Sequence, residues 1–234
     1  MFVGDMLMWL FIAPAILLAL VAQGMVSSAY TRMSRVAARM SGFAAARRIL
    51  DSAGLRNVPI EVVQGHLSDH YDPTSRILRL SPEVYEGHSM AAVGIAAHEA
   101  GHALQHAHRY ALMGLRSLAV PMAQIGSSVG AMIASLGIFL TLAALPAGRL
   151  VLLVGIVLYA GVVTFQLINL PVEFDASARA KRLLVSEGII HRDEVGYVSQ
   201  VLNAAALTYV AATLQSVLQL AYFIFRYAGS RSED

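Results

Sequence analysis

At 234 residues, 57% apolar and only 14% charged, with a mean hydropathy of +0.61, the chain is too oily for an ordinary soluble domain and reads as membrane-embedded. A net charge of +2 and a pI near 9.0 are too small and too scattered to argue for nucleic acid. With no cysteine, disulfides and thiolate ligands are excluded, so any metal must be held by histidine and carboxylate.

Met6 to Ser28 carries no charge and is long enough to cross a bilayer despite Pro14. No basic residue precedes it, Asp5 is acidic, and the apolar stretch is longer than a signal-peptide core. It therefore reads as an uncleaved first span, about 6–28. Arg32, Arg35, Arg39, Arg47, Arg48 and Arg56 follow, and the positive-inside rule puts that segment in the cytoplasm. Ser41 to Ala53 has the pattern of a helix opened by Ser41 and closed by Gly54. Pro59–Val63 and Arg76–Leu80 are β-rich and flank a stretch with Gly65, Asp69, Asp72, Pro73 and Ser75, which predicts a short β-hairpin. Ser81-Pro82-Glu83 opens a short helix with proline at its first position, and Ser89 caps a longer one. The strand directly before that longer helix is expected at a sheet edge, where an extended peptide can pair with it; a hairpin that merely covers the core is the competing reading.

Ser117 to Gly148 and Leu150 to Val172 are free of charge and predict two spans, about 119–146 and 150–172, joined tightly through Leu145-Pro146-Ala147-Gly148-Arg149. Glu173 to Glu194 is charged and helical in pattern, with Arg179, Lys181, Arg182 and Arg192 again on the cytoplasmic side. A last span is expected at about 204–225. No repeat or soluble linker divides the chain, so it reads as a single membrane-embedded domain, 1–234, with about four transmembrane helices.

The chemistry-bearing stretch is Ala96-Ala97-His98-Glu99-Ala100-Gly101-His102-Ala103. On a helix, residues i and i+4 lie about 40° apart in azimuth and roughly 6 Å apart along the axis, so both imidazoles can reach one ion. Glu99 projects about 100° away, towards a ligand of that ion. The bland alternative is a helical turn with two histidines hydrogen-bonded in a polar pocket.

A catalytic zinc of this kind keeps three protein ligands, so one more His or carboxylate is needed. His108 lies ten residues after His98, but Gln105 stands where a helix-breaking glycine would turn the chain back, which leaves His108 about 9 Å along the helix from His102. His106 and His108 read instead as polar residues at the helix end. Glu173 is the better candidate. Two crossings separate it from His102, an even number that returns the chain to the side it left, and it is the first ionisable residue after an apolar span. The competing role for Glu173 is an acid complementing a helix dipole. His66, His88 and His191 carry no spacing signal.

Ser68-Asp69-His70-Tyr71-Asp72-Pro73, Arg79-Leu80-Ser81-Pro82, Ala97-His98-Glu99-Ala100-Gly101-His102-Ala103 and Leu170-Pro171-Val172-Glu173-Phe174-Asp175-Ala176-Ser177, in this order and among these spans, closely resemble the YugP-like membrane zinc metallopeptidases. The resemblance covers nearly the whole chain. A looser similarity extends to the HtpX-like and CAAX-prenyl endopeptidases. The resemblance implies a mainly α, polytopic membrane protein with a small zincin-like metallopeptidase unit carrying a short β-hairpin, its catalytic elements at about 41–109 and 173–194. It further implies one Zn2+ per chain held by His98, His102 and Glu173, with Glu99 as general base. One departure stands out. In the HtpX-like pattern an Asp follows the ligand Glu by four positions, where it can support a zinc histidine. Here that position is Ser177, the acid is Asp175, and the group that orients the histidines is left unnamed.

The expected activity is hydrolysis of peptide bonds in membrane or membrane-proximal proteins, misfolded ones among the candidates, in the cell membrane and facing the cytoplasm. His70 or Tyr71 are candidates for the oxyanion donor, against a plain surface role. Two alternatives remain: a site-2-type intramembrane protease with Asp175 as ligand, and a non-enzymatic metal-binding membrane scaffold. Against the first, Glu83, Glu86, His88, His106, His108 and Arg109 make the motif helix too polar at both ends for a clean span. Against the second, the spans have almost none of the buried charge a transporter shows.

Overall fold

The computed structural model describes residues 6–230. Residues 1–5 and 231–234, which the sequence reading places in the same domain and which include Asp5, lie outside the described residues. The chain is mainly α and polytopic, with four helices long and apolar enough to cross a membrane. It divides into two compact units. One comprises the described parts of Met1–Val21, Gly114–Leu170 and Tyr209–Asp234; the other comprises Ala22–Met113 and Pro171–Thr208.

The first unit collects the apolar stretches. It takes most of α1 (Met6–Met33), α5 (Ala111–Ile125), a π-helical turn (Gly126–Gly130), α6 (Ala131–Leu142), the first part of α7 (Gly148–Ser186) and the end of α8 (Val195–Gly229). Pro14 and Pro121 sit inside α1 and α5 without ending them, as membrane helices tolerate. The core gathers Ala134, Leu152, Tyr159, Val162, Tyr222 and Phe223.

The second unit is built on α2 (Gly42–Ser52), three short strands β1 (Ile60–Val62), β2 (His70–Asp72) and β3 (Ile77–Leu80), α3 (Pro82–Tyr85) and α4 (Met90–Ala107). Its helix starts follow local chemistry: the Ser41 and Ser89 hydroxyls accept from the Ala44 and Ala92 amides at 3.2 Å each, satisfying donors that a helix N-terminus leaves bare. Gly54, at φ +75°, closes α2 in a left-handed turn that a side chain would strain. The core runs through Ile49, Leu50, Leu78, Leu80, Val84, Val93 and Leu184.

The sheet corrects the expected strand pairing. Strand order is β1-β3-β2: Ile60–Val62 runs parallel to β3, and the antiparallel partner of β3 is His70–Asp72. The Asp72 carboxylate, accepting from the Thr74 and Ser75 amides and the Ser75 hydroxyl, closes the hairpin turn next door to β3. These bonds hold the Asp72 carboxyl below the usual carboxylate range. The strand preceding the motif helix is therefore central, and the edge facing α4 belongs to β2. The span expected at 150–172 and the start of the charged helical stretch expected at 173–194 form one element: α7 runs unbroken from Gly148 to Ser186 through Pro171. Proline removes one backbone bond, which a long helix packed on both sides of it absorbs.

Candidate metal centre

The motif lies on α4, where the Ser89 cap fixes the start and the 3.6-residue turn brings His98 and His102 to one face. Their ring centroids are 4.7 Å apart with planes at 84°, so the two Nε2 atoms aim at a shared point instead of stacking. From α7, Glu173 Oε2 reaches 3.2 Å from His98 Nε2 and 3.3 Å from His102 Nε2. Glu173 is 2% exposed and His102 5%. What lets the two helices approach is Gly101: a Cβ there would stand 2.9 Å from the Ala176 carbonyl oxygen.

These donors suit a zinc ion. Zinc bonds of about 2.0–2.1 Å at tetrahedral angles set neighbouring donors about 3.3 Å apart, and two imidazoles plus one carboxylate leave a fourth position open. The three ligand atoms all lie within 4.8 Å of one another. Such a set, two nitrogens and one oxygen with no thiolate, is the usual complement of a hydrolytic zinc.

Glu99 follows His98 and turns its carboxylate towards the sheet, where Oε2 accepts from the Tyr71 amide of β2 at 2.9 Å. Burial pushes its carboxyl up to about 7; His98 opposes the rise, and the Glu173 and Asp69 charges add to it. Asp69, itself pushed up by burial, accepts from the Ser81 amide at 2.7 Å and ties the turn before β2 to the start of α3.

The other sequence candidates stand outside this group. His106 Nδ1 pairs with the Tyr71 hydroxyl at 2.9 Å, so neither that imidazole nor the phenol is directed at the three ligands. His108 forms the exposed C-cap of α4. His70 is exposed, with Nδ1 at 2.8 Å from the Ser68 carbonyl. His66, His88 and His191 are exposed. Asp175 faces Gln105 Nε2 at 2.8 Å and Arg179 Nε at 2.5 Å, and is not part of the ligand group.

Two further residues stand beside the histidines, one at the position where the related pattern has an acid and one with no motif signal of its own. Gln105, fully buried, lies 2.9 Å from His102 Nδ1, and Ser177 Oγ lies 3.1 Å from His98 Nδ1. The available sign was spacing: Gln105 is three residues after His102 and Ser177 four after Glu173, each on the face of the ligand it follows.

The family model described as "Putative neutral zinc metallopeptidase" matches residues 8–228. "Putative membrane protease YugP" of Bacillus subtilis (strain 168) is 46% identical over 216 residues, covering 91% of this chain and 93% of that protein. No solved structure matches the chain significantly. The family match spans both the α4 histidines and the α7 carboxylate that the fold brings together, and the chain belongs to this neutral zinc metallopeptidase family.

Proposed function

We propose that the chain is a membrane-bound zinc endopeptidase in which His98, His102 and Glu173 hold one ion and Glu99 is the general base. The observation that carries this reading is the approach of Glu173 Oε2 to both Nε2 atoms, at the 3.2–3.3 Å spacing of neighbouring donors in a tetrahedral site, with all three ligand atoms within 4.8 Å of one another. Zinc bound there supplies a Lewis acid that polarises a carbonyl and acidifies water. Glu99 accepts a proton from the attacking water and later delivers it to the leaving amine. Because Oε2 is engaged by the Tyr71 amide, Oε1 is the oxygen that carries the proton. Burial, which raises the affinity of this carboxyl for a proton, favours its return to the amine.

The substrates are peptide bonds of membrane or membrane-proximal proteins, a reading supported by the apolar helices and by the name of the Bacillus relative. Cell-membrane residence with the site facing the cytoplasm is supported by Arg32 in the last turn of α1 and by Arg35, Arg39, Arg48 and Arg56 after it, all exposed.

The test is zinc content together with casein hydrolysis by the purified full chain in detergent, with and without chelator. The expected result is one zinc per chain and hydrolysis that chelator abolishes and zinc restores. Hydrolysis insensitive to chelator, or a chain that takes up no zinc, would overturn the reading. Protease accessibility of residues 32–56 in oriented vesicles tests the cytoplasmic side.

A further inference from the structure

A histidine binds zinc through a lone pair, so the nitrogen facing the ion must be the one without a proton, and the partner of the other nitrogen decides which that is. For His102 the partner is Gln105, whose carboxamide is fixed by what else it touches. Its Nε2 lies 2.8 Å from the Val172 carbonyl oxygen and 2.8 Å from Asp175 Oδ2. Both groups only accept, Asp175 being held as a carboxylate by Arg179 Nε at 2.5 Å. The NH2 end must therefore face α7, since a flipped amide would set oxygen against two acceptors, the buried Val172 carbonyl and the partly buried Asp175 carboxylate. Oε1 is then the atom at 2.9 Å from His102 Nδ1, and it can only accept. His102 consequently carries its proton on Nδ1, and the lone pair of Nε2 points to where His98 Nε2 and Glu173 Oε2 converge. The Arg179 guanidinium lies 5.7 Å over the Tyr110 ring, which steadies the far end of the chain of contacts.

We propose that Gln105, locked by Asp175 and the Val172 carbonyl, is the positioning residue that sets the His102 tautomer and couples it to the docking of the helix that delivers Glu173. The proposal rests on the zinc-centre reading and extends it. Ser177 Oγ, 3.1 Å from His98 Nδ1, takes the equivalent place for the other histidine, and a hydroxyl accepts there as readily as it donates. The acid that the related pattern places four residues after the ligand is here moved to Asp175 and acts on the imidazole through an amide.

The experiment measures zinc affinity of the full chain in detergent by competition with a chromophoric chelator, and the visible spectrum of the Co2+-loaded chain, neither of which needs substrate. Gln105→Leu is expected to weaken zinc by about ten- to a hundredfold and to shift the Co2+ bands. Gln105→Glu is expected to do the same, because a carboxylate then faces Asp175 and the Val172 carbonyl. Adding Asp175→Asn supplies an amide donor opposite that carboxylate and is expected to recover most of the affinity. A folded Gln105→Leu chain with zinc affinity within twofold of the parent and an unchanged Co2+ spectrum would overturn the proposal. So would a double variant no better than Gln105→Glu, which decides alone if Gln105→Leu does not fold; if Gln105→Glu also fails to fold, the network serves folding and the proposal falls. His98→Ala separates the two levels. Zinc retained in His98→Ala overturns the zinc centre itself, whereas zinc lost there but kept in Gln105→Leu overturns only the positioning role.

Discussion

The two units of this chain solve packing in opposite ways. In the first, helices meet backbone to backbone: a Cβ at Gly137 would stand 2.2 Å from the Leu152 amide nitrogen, and one at Gly155 would stand 2.3 Å from that of Ala134. Large apolar side chains such as Leu10, Leu118, Met132, Leu150 and Val157 point outward. Lipid is as apolar as leucine, so such helices gain nothing by turning leucines inward and hold together through close van der Waals approach. The second unit buries Ile49, Leu50, Leu78, Leu80 and Val93 in a core of the kind water drives. Among the described residues, it is here that buried polar groups gather into a candidate site: Glu99, His102, Gln105 and Glu173. Helix α7 serves both, with 148–170 in the first unit and 171–186 in the second, and its site residues begin three positions past that division. The lesson is that, among the described residues, the polar groups of the candidate site gather where packing can satisfy them.

The sharpest break of this contrast is Glu173→Ala, which removes a proposed ligand while leaving the apolar unit intact. Zinc content by metal analysis should drop to background and hydrolysis should vanish, while the helical circular-dichroism signal persists. Glu99→Gln comes next. Zinc should stay bound and kcat should fall by about 10²–10⁴-fold, and a variant that retains parental kcat would remove Glu99 from the chemistry. Gly101→Ala probes the one glycine approach inside the site. Pushing the Ala176 carbonyl away should misplace Glu173 by a few tenths of an ångström and lower kcat/KM by about tenfold, short of the roughly 10² expected for a 1 Å error. Gly155→Leu makes the matching change in the other unit. It should cost about 1–3 kcal/mol of stability, read as a lower Tm in detergent, with the zinc affinity of the folded fraction unchanged. Smallest is Ser89→Ala, which removes the cap of α4 and should cost about 1 kcal/mol with kcat unaltered in excess zinc.

What could be read along the chain was whatever neighbouring residues decide. The caps at Ser41 and Ser89, Pro82 opening α3, the four apolar stretches and the one-turn spacing of His98 and His102 all follow from 3.6 residues per turn and the needs of bare helix ends. Glu173 was reachable by counting crossings, which bring a chain back to a side but not to an atom. β1 does lie beside β3, but parallel to it, and the hairpin partner is β2, because alternation shows that a strand exists and not the direction in which it pairs. Gln105 and Ser177 acquire their roles from partners across 67 and 79 residues. By itself, then, the sequence determined a membrane-spanning helical protein with a two-histidine helix and a nearby acid. Only the tertiary structure decided how α7 presents Glu173 to both Nε2 atoms and which amide orients His102, because those bonds depend on Gly101 letting two helices meet.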